Sequence, residues 1–349
     1  MRVVLICPTH FSAKSVLAGA ERYSVELAKA MARHTPTTLV TFGDEAFKTS
    51  DGPLQIHCYR RWLYVRRNRM NPFTPAFLRD VLDADIVHCL QYGTIATDLA
   101  IIAGVVARKR VFVTDLGGST SLTLWYRLKL WHGVRRFLVI SAYNRDEQLQ
   151  RFSGSKDLIY GGVDIERFRV ERSHTRDRVT FVGRLAPHKG IEILLDALKP
   201  EDKAVVIGQA ASPDYASTLV ARAVGKDVEF KGGCSDAELL REYQRARVVA
   251  LPSILDGGYT TALEAMACGI PVVGSSVGSL QELIADGETG FVIPPNDPDA
   301  LRDKLGLLAA DPGLAKRMGD AGRKRVEQMF TWDKVVGRCI RHYDGGTTP

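Results

Sequence analysis

The stretch LDGGYTTALEAMACGIPVV, residues 255–273, sets two carboxylates, Asp256 and Glu264, around a glycine pair and a helix start. Gly257 and Gly258 allow the backbone to turn sharply and to approach a ligand closely. A helix beginning near Thr260 or Thr261 aims unpaired amides at the same point, which makes an anion site. Glu264 also has a purely local reading. TALE (261–264) is a capping box, with Thr261 as N-cap and Glu264 reaching back to it. Asp256 read alone is a turn residue.

A second cluster lies in GRLAPHKGIEILLDAL, residues 183–198. Arg184, His188 and Lys189 gather where a helix is predicted to begin, near Lys189 or Gly190. Cations there oppose the helix macrodipole at a cost of about 0.3–1 kcal/mol. A bound anion removes the conflict. Arg184 then offers a guanidinium fork and Lys189 a point charge, a pair suited to a diphosphate. The plainer alternative is three solvated surface cations.

Both clusters need a scaffold that brings loops together. In the first half, strand-like runs at 3–7, 37–42, 85–90, 110–114 and 136–140 alternate with helical patterns at 19–32, 93–107, 119–132 and 142–151. After a polar, basic linker (170–178) the rhythm restarts, with strands at 179–183, 204–208, 228–232, 248–253, 271–275 and 290–294 and a helical tail from about Pro298. The expected fold class is α/β: two Rossmann-like, doubly wound domains facing across a cleft, with ligands at the carboxyl ends of the strands. The expected domains are 1–168 and 169–330, with a helix over 331–349 returning to the first.

Composition narrows the function. At 349 residues, 45% apolar and 25% charged, the chain is expected to be globular, with two cores. No apolar run reaches membrane-spanning length. The six cysteines show no C-x-x-C and no histidine at ligand spacing, so reduced thiols in a cytoplasmic protein are expected, with no metal and no cofactor. G-x-G-x-x-G, Walker A and G-x-S-x-G motifs are missing. DAD (83–85) could suggest a metal-binding acid pair, but at the entrance to a strand it reads as a solvated turn.

Charge is lopsided: residues 1–165 carry 22 Lys and Arg against 14 Asp and Glu, and the rest 25 against 26. An anionic partner for the first half follows. RRWLYVRRNRM (60–70) places Arg60, Arg61, Arg66 and Arg67 around Trp62 and Tyr64, and LWYRLKLWHGVRRF (124–137) reads as a partly amphipathic helix. Such stretches lie on anionic membrane or grip a phosphorylated lipid carrier. No nucleic-acid module accompanies them, so nucleic acid is not an expected partner.

FVGRLAPHKGIEILLDAL, followed by LPSILDGGYTTALEAMACGIPVVGSSVGSLQELIADGETGFVIPPNDPDAL, resembles the donor domain of retaining glycosyltransferases of family 4, which have the GT-B fold. AGAERYSVELAKAMA, VISAYN and YGGVDIERF resemble the family's other blocks, in the expected order over nearly the whole chain. The resemblance implies transfer of a sugar from a nucleotide diphosphate sugar to a glycan or lipid-linked acceptor, without an obligatory metal. It implies that Asp256 contacts the donor sugar, that Glu264 binds the ribose hydroxyls, and that Arg184 and Lys189 hold the diphosphate. Gly258, Tyr259, Thr260 and Thr261 would face phosphate and sugar through their amides, and Gly19 would sit near the reacting centre.

Three positions depart from the family pattern. Asp256 stands where Glu is usual, GGY (257–259) replaces Gly-Phe-Gly, and Asp115 occupies the place of a histidine beside the donor sugar. The implied mechanism is front-face displacement, with Asp115 as the rival covalent nucleophile. A non-catalytic sugar-nucleotide binder and an epimerase on the same fold are the alternatives.

Overall fold

Residues 1–10, 19–68, 71–116, 124–171, 174–255 and 258–346 are described in a computed structural model of the chain. Asp256 and Gly257, and residues 11–18 before Gly19, lie outside the described residues. The chain divides into two compact units, Met1–Gly162 with Trp332–Pro349, and Val163–Thr331.

The first unit holds β1 (Val3–His10), β2 (Thr37–Gly43), β3 (Phe47–Asp51), β4 (Leu54–Arg60), β5 (Leu63–Tyr64), β6 (Pro72–Phe73), β7 (Ile86–Cys89), β8 (Arg110–Val113), β9 (Arg136–Val139) and β10 (Lys156–Leu158). Eight of these form one sheet in the order β10-β9-β8-β7-β1-β2-β4-β3. Every pairing in it is parallel except β3 with β4. Helices α1 (Gly19–Ala32), α2 (Leu78–Asp83), α3 (Ile95–Val106) and α4 (Leu124–Arg127) belong to this unit.

The second unit is a six-stranded parallel sheet of β11 (Arg178–Val182), β12 (Lys203–Ile207), β13 (Asp227–Lys231), β14 (Ala246–Leu251), β15 (Val272–Ser275) and β16 (Gly290–Ile293). Its order, β13-β12-β11-β14-β15-β16, is that of a doubly wound sheet, and the order reverses between β11 and β14. Helices α5 (Ile191–Ala197), α6 (Pro213–Arg222), α7 (Asp236–Arg245), α8 (Tyr259–Ala267), α9 (Leu280–Leu283), α10 (Pro298–Ala310) and α11 (Pro312–Met329) cover it. Last comes α12 (Trp332–Tyr343), which packs in the first unit.

The residues on either side of each crossing pack within their own unit. Val163 and Thr331 form a parallel bridge within the second unit. In the first, a Cβ on Gly162 would lie 2.5 Å from the Trp332 ring, so this glycine exists to let the indole lie on the backbone. Residues 163–168, expected in the first domain, pack in the second, where Arg323 donates to the carbonyls of Ile165 and Phe168.

α12 docks through a buried polar contact. His88 on β7 is fully buried, which pushes its imidazole down to about 3 and keeps it neutral. Its Nδ1 meets the Tyr343 hydroxyl at 2.7 Å and its Nε2 meets Thr114 Oγ1 at 2.8 Å. The Tyr343 ring lies 4.9 Å from Phe112, and Arg110 donates to its carbonyl.

The amphipathic helix expected over 124–137 is not present. α4 ends at Arg127, Lys129 takes a left-handed conformation (φ 49°), and a 3-10 turn spans Leu130–Gly133 before β9. Trp125 is fully buried among Tyr92, Trp131, Phe137 and Phe152. Trp125 and Phe137 fill the core and Tyr126 and Trp131 pack half-buried against it, because burying large rings outweighs the weak helix preference of so short a segment. The expected helix over 142–151 is present only over 142–148, and most of it is a π turn, Asn144–Gln148. At DAD, Asp85 accepts from the Arg2 amide at 2.7 Å and lies 3.8 Å from the amino terminus.

Candidate active site

The loops leaving β11 and β14 flank the switch point, where doubly wound sheets bind ligands. The first carries Arg184 and Lys189, and the second leads into α8. They are locked together. Ile254 donates its amide to the His188 carbonyl at 2.8 Å. Gly190 has φ 69°, and a Cβ there would fall 1.9 Å from the Pro252 carbonyl oxygen. Only glycine permits that approach. Thr261 Oγ1 reaches the Val182 carbonyl at 3.3 Å and ties the first turn of α8 to the end of β11.

Arg184 is exposed, and among the described residues its side chain has no ion-pair or hydrogen-bond partner. His188 and Lys189 are half-buried on a 3-10 turn, Pro187–Lys189, and α5 begins after it, at Ile191. The cations thus sit in the loop ahead of the helix.

α8 begins at Tyr259, earlier than expected, with Gly258 as N-cap and no side-chain cap. Thr261 and Glu264 therefore do not form a capping box: Thr261 already lies inside the helix, and its hydroxyl is engaged with Val182. The N-cap, Gly258, has no side chain to cap with, and the first-turn amides of α8 form the positive end of the helix, where an anion is favoured. The opposite end is neutralised by arginines. Arg323 donates to the Ala267 carbonyl at 2.8 Å, and Arg176 to those of Cys268 and Gly269 at 2.9 and 2.6 Å. Cations at a helix C-terminus stabilise it.

Glu264, one turn into α8, is 4% exposed, and its Oε2 accepts from the Tyr243 hydroxyl at 2.8 Å. The Cys268 thiol is pushed up to about 12, chiefly by burial and then by the Glu264 charge. Tyr243 was not apparent from sequence; it lies twenty-one residues away on α7, with no spacing that links the two.

In the first unit, Asp115 follows β8 and is buried; it accepts from Gln91 Nε2 at 2.9 Å. Gln91 was also missed, since only the strand register brings it beside Asp115. Cys89 and Val113 are paired neighbours, and both side chains lie two residues beyond them. Gly19 is the exposed first residue of α1, and among the described residues no atom lies within 4 Å of where a Cβ would be. In the 60–70 stretch, Arg60 and Arg67 are exposed, and Arg61 pairs with Asp44 and stacks over Tyr64 at 4.1 Å. Trp62 is 66% exposed beside the β5–β6 hairpin, and Leu63 is 50% exposed on it. Arg66 falls in the turn after β5, and its side chain lies outside the described residues. Among the described residues no group of His, Cys, Asp or Glu could hold a metal.

Two family models match, side by side: Glycosyltransferase Family 4 over residues 17–167 and Glycosyl transferases group 1 over 163–325. The chain belongs to the family 4, group 1 glycosyltransferases. As a member of that family it resembles a D-inositol 3-phosphate glycosyltransferase of Streptomyces bingchenggensis, 32% identical over 60% of this chain and 52% of that protein. The chain thus spans about half the length of that relative. An MMP alpha-(1->4)-mannosyltransferase of Mycolicibacterium hassiacum is 27% identical over 75% of this chain and 71% of its own. Among solved structures, Anabaena HepE in complex with UDP and glucose is similar over 99% of this chain and 100% of its own, with a TM-score of 0.78 at 18% identity. These likenesses give the family 4 member its fold, GT-B, with two Rossmann-like domains.

Proposed function

We propose that this chain is a retaining glycosyltransferase that moves a hexose-type sugar from a UDP- or GDP-linked donor to a glycan or lipid-linked acceptor. The observation that carries the reading is the glycine-capped start of α8, locked beside the Arg184–Lys189 loop at the switch point of the second unit. The names of similar proteins agree in class: one is a mannosyltransferase, and one was solved with UDP and glucose.

In this reading Arg184, Lys189 and the α8 amides hold the diphosphate and stabilise the charge that grows on it as the bond to the sugar C1 breaks. The acceptor oxygen bonds to the same face of C1, and its proton passes to the departing β-phosphate oxygen. No metal takes part. Glu264 binds the ribose hydroxyls and Asp256 the donor sugar. Asp115, oriented by Gln91, accepts from a sugar hydroxyl. Incubation with UDP- and GDP-sugars should release free nucleotide, by slow hydrolysis without acceptor and faster with one. Tight binding with no release would favour a non-catalytic binder, which the changes at Asp115 and GGY (257–259) would then explain.

Asp115→Asn separates the mechanisms. Front-face displacement predicts a transfer rate within about tenfold of wild type, since a neutral amide still orients a hydroxyl. Loss of a covalent nucleophile costs on the order of 10⁴-fold or more. A loss of that size would overturn the displacement mechanism.

The acceptor face is assigned to the β5–β6 hairpin, where exposed Trp62 and Leu63 stand with Arg60 and Arg67. Apolar tips beside cations suit an anionic membrane surface or a lipid-linked acceptor. The 124–137 stretch does not contribute its buried aromatics. Flotation with anionic liposomes should carry the protein upward, and Trp62→Ser with Leu63→Ser should leave most of it at the bottom. Equal recovery of both proteins would remove the membrane assignment. Cytoplasmic placement on the inner membrane face goes with this reading.

A further inference from the structure

Behind Glu264 lies a set of contacts that the reaction itself does not use. α7 is amphipathic and turns Leu239, Glu242 and Tyr243 into the second unit. Tyr243 is fully buried, and its hydroxyl donates to Glu264 Oε2 at 2.8 Å. The Phe168 ring meets the Tyr243 ring edge to face, with centroids 5.9 Å apart and planes at 78°. Phe168 is fixed in turn, because Arg323 Nη1 donates to its carbonyl at 2.8 Å and to the Ala267 carbonyl at 2.8 Å. Ala267 is one turn beyond Glu264 on α8. The contacts therefore close a circuit, from the carboxylate through a phenol, a ring and a guanidinium back to the same helix.

We infer that Tyr243 is a positioning residue that sets the plane of the Glu264 carboxylate for the two hydroxyls of a donor ribose. The inference rests on the proposed role of Glu264 and deepens it. A carboxylate accepts along directions in its own plane, and one that binds two neighbouring hydroxyls must present that plane to both. A buried carboxylate that loses a donor turns toward another partner, because leaving it unsatisfied is costly. The phenol O–H has one proton, and it goes to Oε2, so the remaining lone pairs keep a fixed direction. The ring contact with Phe168 holds the phenol against rotation, and the guanidinium holds Phe168 to the helix that bears the carboxylate. Tyr243 thus acts on the ribose only through Glu264.

The test uses the full chain and calorimetry with UDP and GDP, each compared with its 3′-deoxy counterpart. Tyr243→Phe keeps the ring and removes the hydroxyl. The expected result is about tenfold weaker binding of the better ribonucleotide, and a preference for ribo- over deoxynucleotide that shrinks to under about threefold. Glu264→Gln is expected to abolish that preference as well, and the double variant to be no worse than Glu264→Gln alone. Circular dichroism checks the fold. If too little Tyr243→Phe folds, Phe168→Leu loosens the phenol without removing its hydrogen bond, and it should shrink the same preference. A folded Tyr243→Phe that keeps wild-type preference, or loses affinity equally for both nucleotides, overturns the positioning role. A folded Glu264→Gln with unchanged preference overturns the ribose contact beneath it, which is a different result from the first.

Discussion

Replacing both Arg184 and Lys189 by alanine is expected to weaken binding of a nucleoside diphosphate by at least about 100-fold. Each charge-assisted contact to phosphate contributes about 1.5–3 kcal/mol, so losing two removes about 3–6 kcal/mol, which is two to four orders of magnitude in Kd. Folding should survive. Arg184 is exposed and, among the described residues, supports no other side chain, and Lys189 is only half-buried. Calorimetry reads the affinity, and a thermal melt of the same samples reads the fold. The residual binding should still come from the α8 amides and Glu264, so it should be weak but not zero. Arg184→Lys should lie between, because an ammonium keeps the charge and loses the fork. An unchanged affinity in a folded double variant would remove the electrostatic basis of the proposed donor site.

The second large effect is on stability. Tyr343→Ala is expected to destabilise the first unit by about 3–5 kcal/mol from the lost ring alone, and further because His88 Nδ1 loses its partner in a fully buried site. For a unit of this size that corresponds to a melting shift of about 10 °C or more. The readout is unusually clean. The chain has four tryptophans, and Trp62, Trp125, Trp131 and Trp332 all belong to the first unit. Indole fluorescence therefore follows that unit, while far-ultraviolet dichroism follows both. The fluorescence midpoint should fall with Tyr343→Ala, and Tyr343→Phe should fall less, since it keeps the contact with Phe112 and loses only the hydrogen bond. An unchanged fluorescence midpoint would show that α12 is not held by this residue.

The second unit was the more legible half. Its six strands are parallel, and most of them, such as KAVVI before Gly208 and ARVVAL before Pro252, are short buried apolar runs ended by glycine or proline, which a periodicity reading finds. In the first unit β3 went unseen because all five of its residues are exposed, whereas β4, LQIHCYR, does alternate apolar with polar side chains and that strand signal went unread. β10 has three residues, too few for any pattern. The 124–137 stretch has helical spacing, yet a left-handed Lys129 breaks it and its rings are drawn into an aromatic cluster built from distant residues. At the site, Arg184, Lys189 and Glu264 stand out by type and by place, since cations ahead of a helix and an acid behind a glycine-rich turn break local expectations. Tyr243 and Gln91 do not stand out. Each matters through one contact with a residue remote in the chain, and such contacts leave no trace in local spacing.

The return of α12 to the first unit has a consequence for how the molecule is made. A ribosome must translate all of Val163–Thr331 before Trp332 appears, and the second unit can close on itself in that interval. The amino-terminal sheet meanwhile waits with part of one face wet. Val3, Leu5 and Leu39 share a cluster with Trp332, Val335, Val336, Cys339 and Tyr343, and those five arrive only at the end. What is synthesised first is therefore sealed last, and during translation the apolar face awaiting α12 is the surface a chaperone would meet.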